Sequence, residues 1–171
     1  MGYDPVMKNA TKRRAEKPQA SKFQRAERGV LDELLGYQIR RAQTRLFAHF
    51  QQRLVDLRIT PGQFGLLILI SENPGVTQVA LARAVGIERA TLGEFIDRFE
   101  GEKLVERRML VGDRRSYALH LTKRGTEFIA IAIPQVVAHE AEFTDHLTAT
   151  ERATLLRLLT KLADRPPVDA N

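Results

Sequence analysis

The stretch DRRSYALHLTKRG, residues 113–125, decides the fold because apolar and polar side chains alternate through its middle. Alternation places every second side chain on the same face of a β-strand. The apolar or basic positions that alternate are Tyr117, Leu119 and Leu121 here, and Val105, Arg107 and Met109 just upstream. Gly112 and Asp113 supply turn residues between the two runs. The sequence therefore predicts a β-hairpin with its tip near Val111 to Ser116.

Two short helices are predicted directly before this hairpin. Thr77 can cap a helix over Gln78 to Val85, and Gly86 ends it. A second helix runs from about Arg89 to Glu102, and its apolar residues recur every three or four positions, at Leu92, Phe95, Ile96 and Phe99. A helix-turn-helix followed by a hairpin is a winged helix, so we expect a mainly α fold with a β-hairpin wing.

Longer amphipathic helices flank the predicted winged helix. The first is expected to run unbroken from Val30 to Leu57. The helix that opens at Thr60-Pro61-Gly62-Gln63 with a capping pattern is instead apolar nearly all round, so we expect it at the buried centre of the winged-helix domain. Thr122 caps a helix of about 25 residues that we expect Pro134 to kink, and Thr148 to Glu151 caps the last helix. Such apolar faces need a partner, so we expect an intertwined homodimer with the two-fold symmetry of a palindromic site.

The positive charge of the chain is concentrated at one end. The 171 residues carry 27 Lys and Arg against 21 Asp and Glu, a net charge of +6. Residues 1–29 hold eight basic and three acidic side chains, whereas residues 77–125 have a net charge of only +3. We therefore divide the chain into a basic, flexible N-terminal arm (1–29), a helical dimerisation region (30–58 and 126–165), a winged helix-turn-helix DNA-binding domain (59–125) and a C-terminal tail (166–171). The arm either contacts DNA phosphates or is a solubilising tail.

Several function classes lack their sequence signals. There is no cysteine for a disulfide or a thiolate nucleophile, and no apolar run of membrane-spanning length. The N-terminal residues are charged where a signal peptide is apolar, so we expect a cytoplasmic protein without a membrane partner. The sequence contains no glycine-rich phosphate loop, no nucleophile elbow and no paired-histidine zinc motif. We expect no enzyme, no catalytic residue and no cofactor.

Residues 113–125 resemble the wing signature of the MarR (multiple antibiotic resistance regulator) family. That signature is Asp-x-Arg, five residues, then Leu-Thr-x-x-Gly, and the chain matches all five fixed positions. The segments 76–87, 90–100 and 103–107 look like the family's helix-turn-helix and first wing strand, and the resemblance covers about Leu31 to Asp164. It implies a homodimeric winged-helix repressor that occupies a palindromic operator and releases it when a small molecule binds.

The resemblance, together with the docking geometry of recognition helices, assigns DNA-contacting residues. Base edges in the major groove are expected to meet Arg89, Ala90, Thr91 and Glu94. Phosphates are expected to meet Thr77, Gln78, Arg98 and Arg114, while Arg115 enters the minor groove. Two alternatives stay open: Arg98 pairs within the protein, with Asp97 or a wing residue, and Glu94 faces solvent or an intramolecular cation. Glu88 is an unusual recognition-helix cap where the family often has serine.

In the family, the effector site lies between the dimer helices and the DNA-reading lobe. The positions of this chain that we expect to line it are Tyr37, Arg40, Arg41, Phe47, Phe64 and Ile68. An arginine pair beside aromatic rings suits an aromatic carboxylate or its CoA thioester. In the alternative interpretation, these arginines pair across the dimer with Asp32 and Glu33.

Two other functions compete with an effector-responsive repressor. An architectural DNA-binding protein would need only the winged helix and the basic arm. A zinc-responsive regulator would use His139, Glu142 and His146, which share one helical face at spacings of three and four.

Overall fold

The computed structural model describes residues 27–110 and 113–164, with the backbone alone for residues 110 and 113–116. The helices in this part of the chain are α1 (Leu35–Arg53), α2 (Pro61–Glu72), α3 (Gln78–Val85), α4 (Arg89–Gly101), α5 (Lys123–Phe143) and α6 (Ala149–Ala163). The strands are β1 (Val76–Thr77), β2 (Val105–Leu110) and β3 (Asp113–Leu121), which form an antiparallel sheet in the order β1-β3-β2. The mainly α winged-helix fold is confirmed. None of the described helices is long and apolar enough to cross a membrane.

The prediction of one unbroken helix from Val30 to Leu57 is wrong. α1 is flanked by two short 3-10 helices, Gly29–Glu33 and Val55–Leu57. Leu34 separates the 3-10 helix Gly29–Glu33 from α1 and has an extended backbone, with ψ of 116°. At the other end Arg58 adopts a left-handed φ of 53°. Apolar spacing cannot detect these breaks, because a 3-10 turn also returns an apolar side chain to the same face every three residues.

Local capping signals place the helix starts correctly. The Thr60 hydroxyl accepts a hydrogen bond from the Gln63 amide at 3.2 Å, and the Gln63 side chain accepts one from the Thr60 amide at 2.9 Å. Thr77 accepts from the Ala80 amide, also at 3.2 Å. Gly86 ends α3 with a φ of 73°, which glycine adopts without steric cost. These contacts lie within one turn of sequence, so they could be predicted residue by residue.

The hairpin is confirmed, with two differences. β2 and β3 pair from Val105 opposite Leu121 to Met109 opposite Tyr117. The strand β3 already begins at Asp113, so the predicted tip was too long; residues 111 and 112 lie outside the described part. The sequence also gave no sign of β1, whose two residues pair with Ala118 and Leu119. Two residues are too few to show a periodicity.

Two apolar cores lie side by side along α5. The first fills the winged helix and includes Leu67, Ile70, Leu81, Leu92, Ile96, Phe99, Leu119 and Ile129. The second lies between α1 and α5 and consists of Phe50, Leu54, Leu57, Ile59 and Ala132. Phe128 packs against both cores, which makes α5 the element that joins the DNA-reading unit to α1.

The last two helices leave apolar surface uncovered. α5 is one continuous helix of 21 residues with Pro134 inside it. All residues of α6 are exposed, including five leucines: Leu155, Leu156, Leu158, Leu159 and Leu162. The Thr148 capping box of α6 is present as predicted, and its hydrogen bonds to the Glu151 carboxylate lower the pKa of that group.

Candidate nucleic-acid interface

The predicted recognition helix, α4, has one buried face and one exposed face. Leu92, Ile96 and Phe99 are fully buried. The residues predicted to read bases are all exposed and lie together at its N-terminal end: Arg89, Ala90, Thr91 and Glu94. Glu88 makes no side-chain capping hydrogen bond, in keeping with its unusual place there. Within the part of the chain that the structure describes, Glu94 has no ion-pair partner and faces solvent.

The start of α3 lies against the start of α4. The side-chain amide of Gln78 donates to the backbone carbonyl of Arg89 at 3.4 Å, and a Cβ at Gly93 would lie 3.2 Å from the same amide nitrogen. Thr77 uses its hydroxyl oxygen to cap α3, so its hydroxyl proton can still donate to a phosphate. The structure therefore brings two predicted phosphate contacts next to the predicted base-reading end of α4.

Arg98 is held by the protein itself. Its Nε donates to Glu102 at 2.9 Å, and its Nη2 donates to the backbone carbonyl of Arg58 at 2.8 Å. The structure thus shows the intramolecular alternative, but with partners other than Asp97 or a wing residue. Because Arg58 precedes α2, Arg98 connects the recognition helix to the turn that follows α1.

An ion-pair network that the sequence interpretation missed joins the wing to the recognition helix. Arg107 of β2 donates to Asp97 at 2.8 Å and to Glu100, and its backbone amide donates to Glu100 at 3.0 Å. The two acidic residues are three positions apart and so lie on one side of α4. The sequence did contain a signal for this network, because two acidic residues three positions apart on α4 are followed by an arginine on the next strand. We call Arg107, Asp97 and Glu100 the wing clamp.

The two wing arginines lie on β3 near the hairpin tip. The backbone of Arg114 and Arg115 follows Asp113, which pairs with Leu110 of β2. Their side chains lie outside the described part, so the phosphate and minor-groove contacts stay predictions.

The predicted effector residues lie on α1 and α2. Phe64 packs against the second core and Ile68 against the first. Tyr37 lies 13 residues before Phe50, the α1 member of the second core, which is about 20 Å along the helix at 1.5 Å per residue. Arg40 and Phe47 are exposed on α1. Their convergence in one effector site stays a prediction.

Arg41 has its partners within its own chain. It donates to Gln38 at 2.8 Å, lies 3.7 Å from Asp32, and has its guanidinium 5.8 Å from the centre of the Tyr37 ring. The 3-10 turn over Gly29–Glu33 folds Asp32 back towards α1, which the predicted unbroken helix did not allow. Arg41 therefore has an ion pair with Asp32 within its own chain, and the alternative pairing across the dimer stays a hypothesis.

The predicted metal-binding face is not assembled. His139 is buried against α1, with its ring 4.8 Å from that of His49. Glu142 pairs with Arg53, and His146 lies past the end of α5 beside Asp145. Spacings of three and four did not bring the three groups together, because α5 ends at Phe143, before His146. Between residues 27 and 164, the described side chains include no group of three or more histidines and carboxylates that could hold a metal ion.

Known proteins are similar to this chain in sequence and fold. The MarR family profile matches residues 59–117. The "Putative transcriptional regulatory protein for hcr operon" of Thauera aromatica is 33% identical over 147 residues, which cover 85% of this chain and 89% of that relative. The solved structure of the transcriptional repressor CouR bound to a 23-mer DNA duplex is 37% identical, with a TM-score of 0.77 over 81% of this chain and 99% of that one. CouR bound to p-coumaroyl-CoA is 35% identical, with a TM-score of 0.75 over 83% of this chain and all of that one.

Proposed function

The chain belongs to the MarR family of transcriptional regulators, and from this we propose that it is a repressor that binds a palindromic operator as a homodimer and releases it when a small effector binds. The single observation that carries the proposal is the exposed N-terminal face of α4 beside a wing that the wing clamp holds in position. This pairing suits simultaneous contact with the major groove and the adjacent minor groove.

The uncovered apolar surfaces support the homodimer. Leu155, Leu159 and Leu162 recur at spacings of four and three along α6, and Val30, Leu31, Leu34 and Leu35 are exposed before and at the start of α1. An apolar helix face without cover in its own chain is stabilised by burial against another chain. Two-fold pairing through these helices would set two recognition helices about one DNA turn apart.

The proposed effector is an aromatic carboxylate or its CoA thioester. CouR, which covers most of this chain, has been solved with p-coumaroyl-CoA bound. On α1, the exposed guanidinium of Arg40 and the Tyr37–Arg41 stack offer positive charge next to an aromatic ring. Guanidinium groups bind carboxylates and phosphates in a planar, bidentate geometry. A ligand that favours one spacing of the two DNA-reading lobes would shift the protein away from the operator-binding form.

Operator binding tests the repressor proposal directly. Affinity for the DNA upstream of the protein's own gene and for random DNA would be measured over a range of salt concentrations by fluorescence anisotropy. We expect a preference of roughly a thousandfold for a palindromic site within the upstream DNA. Equal affinity for both DNAs at all salt concentrations would favour an architectural DNA-binding protein instead.

The effector proposal is tested by release of bound operator on addition of p-coumaroyl-CoA and of free aromatic acids. We expect Arg40→Ala and Arg41→Ala to require at least tenfold more ligand for release, with near-normal affinity for DNA. Arg45→Ala removes an equal charge from another exposed position of α1 and serves as the control. A wild-type response in both variants would contradict this placement of the effector site.

A further inference from the structure

His139 is a buried polar residue whose role the proposed DNA-binding function does not explain. Only 2% of its surface is exposed, and in the described part of the chain neither ring nitrogen has a hydrogen-bond partner. The same holds for Nδ1 of His49, which lies across from it on α1. Buried polar atoms without partners destabilise the folded state, so such atoms call for an explanation.

The two imidazoles sit in an aromatic contact between α1 and α5. The ring centres of His49 and His139 are 4.8 Å apart, the ring of Phe50 meets His139 edge-on at 5.3 Å, and Phe143 lies 5.6 Å from His49. The neutral rings thus pack like other aromatic side chains. A proton on either ring would place a cation in this apolar contact.

Charged groups from both helices surround the pair. Arg53 of α1 forms an ion pair with Glu142 of α5, and the Glu142 carboxylate lies 3.8 Å from Nε2 of His49. The pKa of His139 is lowered overall. Burial is the largest cause and the neighbouring His49 the next, and together they outweigh Glu140, Glu142 and the backbone of Leu46, which raise this pKa. The folded protein therefore binds a proton at His139 less readily than the unfolded chain does.

We propose that His139, packed against His49, forms a proton-operated latch that holds α5 against α1 only while the His139 ring is neutral. α5 connects the His49–His139 contact to the winged helix, since Ile129 of α5 lies in the winged-helix core and Ala132 lies in the core against α1. Proton uptake loosens the α1–α5 contact, which frees the winged helix to move relative to α1. Insofar as the protein acts through operator DNA, as proposed above, acid therefore weakens operator binding.

The sign of the pH effect follows from the lowered pKa. An unfolded histidine gains its proton as the pH falls through about 6.5, whereas buried His139 does not. Proton binding therefore favours the unfolded chain below this pH, and folding stability from the latch is complete at higher pH. At pH 5.5 the unfolding equilibrium constant should exceed its value at pH 7.5 by up to about tenfold through His139, since pH 5.5 lies about one unit below 6.5.

The first experiment needs no DNA. Urea unfolding of the full chain at pH 5.5 and 7.5 would compare the wild type with His139→Phe, which keeps an aromatic ring but cannot titrate, and with His146→Gln at an exposed position. We expect His139→Phe to lose most of the pH dependence that the wild type and His146→Gln share. An equal pH dependence in all three proteins would overturn the latch.

NMR titration of the wild-type imidazole resonances covers the case in which His139→Phe fails to fold. The His139 resonance should titrate below the ordinary histidine value of about 6.5, and titration of His139 at or above that value would overturn the proposal. A second measurement compares operator affinity at the two pH values: acid should weaken it several-fold in the wild type and less in His139→Phe. A pH-dependent stability without any operator binding would leave the latch in place and contradict the proposed function instead.

Discussion

Gly125 is the residue that fixes the join between the wing and α5. A Cβ at this position would lie far inside van der Waals contact with the backbone carbonyl of Leu104, at the start of the wing. We expect Gly125→Ala to lower the free energy of unfolding by about 3 kcal/mol, because the backbone of either α5 or β2 must move. Gly65→Ala, in α2, meets no atom within 4 Å and should stay within about 1 kcal/mol of the wild type. Urea denaturation followed by circular dichroism measures both, and equal stability of the two variants would contradict this prediction.

A second prediction at this scale concerns the wing arginine. Arg115→Ala should weaken operator binding at least tenfold, since a guanidinium in a narrow minor groove contributes about 1–3 kcal/mol. The variant should remain as stable and as oligomeric as the wild type. Anisotropy titrations alongside Arg45→Ala, which removes the same charge from α1, separate a specific contact from a general loss of charge. If the two variants bind equally well, Arg115 has no special role.

At the residue scale, the sequence predicts contacts between neighbours and misses those between distant positions. The caps at Thr60, Thr77 and Thr148 form hydrogen bonds three residues away, so the local sequence contains both partners. Arg98 instead binds a carbonyl 40 positions earlier. Nothing in the local pattern names that partner, because it depends on how α4 packs beside the turn at Arg58.

The wing clamp joins the wing to the recognition helix through the contacts of Arg107. Arg107→Met should lower operator affinity about tenfold, because a loosely held wing must be ordered again when DNA binds. Its neighbour Arg108 pairs only with Glu106 on its own strand among the described residues, so Arg108→Met is the matched control with the same loss of charge. Affinity would be measured at fixed ionic strength, with thermal melts to confirm that both variants fold. A larger loss of affinity in Arg108→Met would contradict the clamp.

At the scale of elements, periodicity predicts long regular segments and fails at their interruptions. The helix-turn-helix and the β2–β3 hairpin follow from spacing and alternation alone. The break at Leu34 is set by one extended residue, and β1 exists because Val76 and Thr77 lie beside β3 in the folded chain. β1 depends on a tertiary contact that a local pattern does not contain, and the apolar spacing across Leu34 does not reveal its extended backbone.

The whole molecule leaves α6 uncovered, which leads to a prediction about assembly. Leu159→Glu should convert the proposed dimer to a monomer, because it places a charge in an apolar contact, and operator affinity should fall with dimerisation. Thr150→Glu introduces the same charge nine residues earlier, about 180° around the same helix from Leu159, and should leave assembly nearly unchanged. Sedimentation equilibrium measures the outcome. A wild-type chain that is monomeric at micromolar concentration, or a dimeric Leu159→Glu, would contradict this use of α6.

The position of Phe128 between the two cores has a consequence for how the chain opens. Since this one side chain packs on both clusters, neither core can lose its packing without exposing part of the other. Native-state hydrogen exchange should therefore find the slowest amides of α2, α4 and the first half of α5 opening together as one cooperative unit. A protease would cut this protein first outside that unit, and would not release the winged helix as an intact fragment.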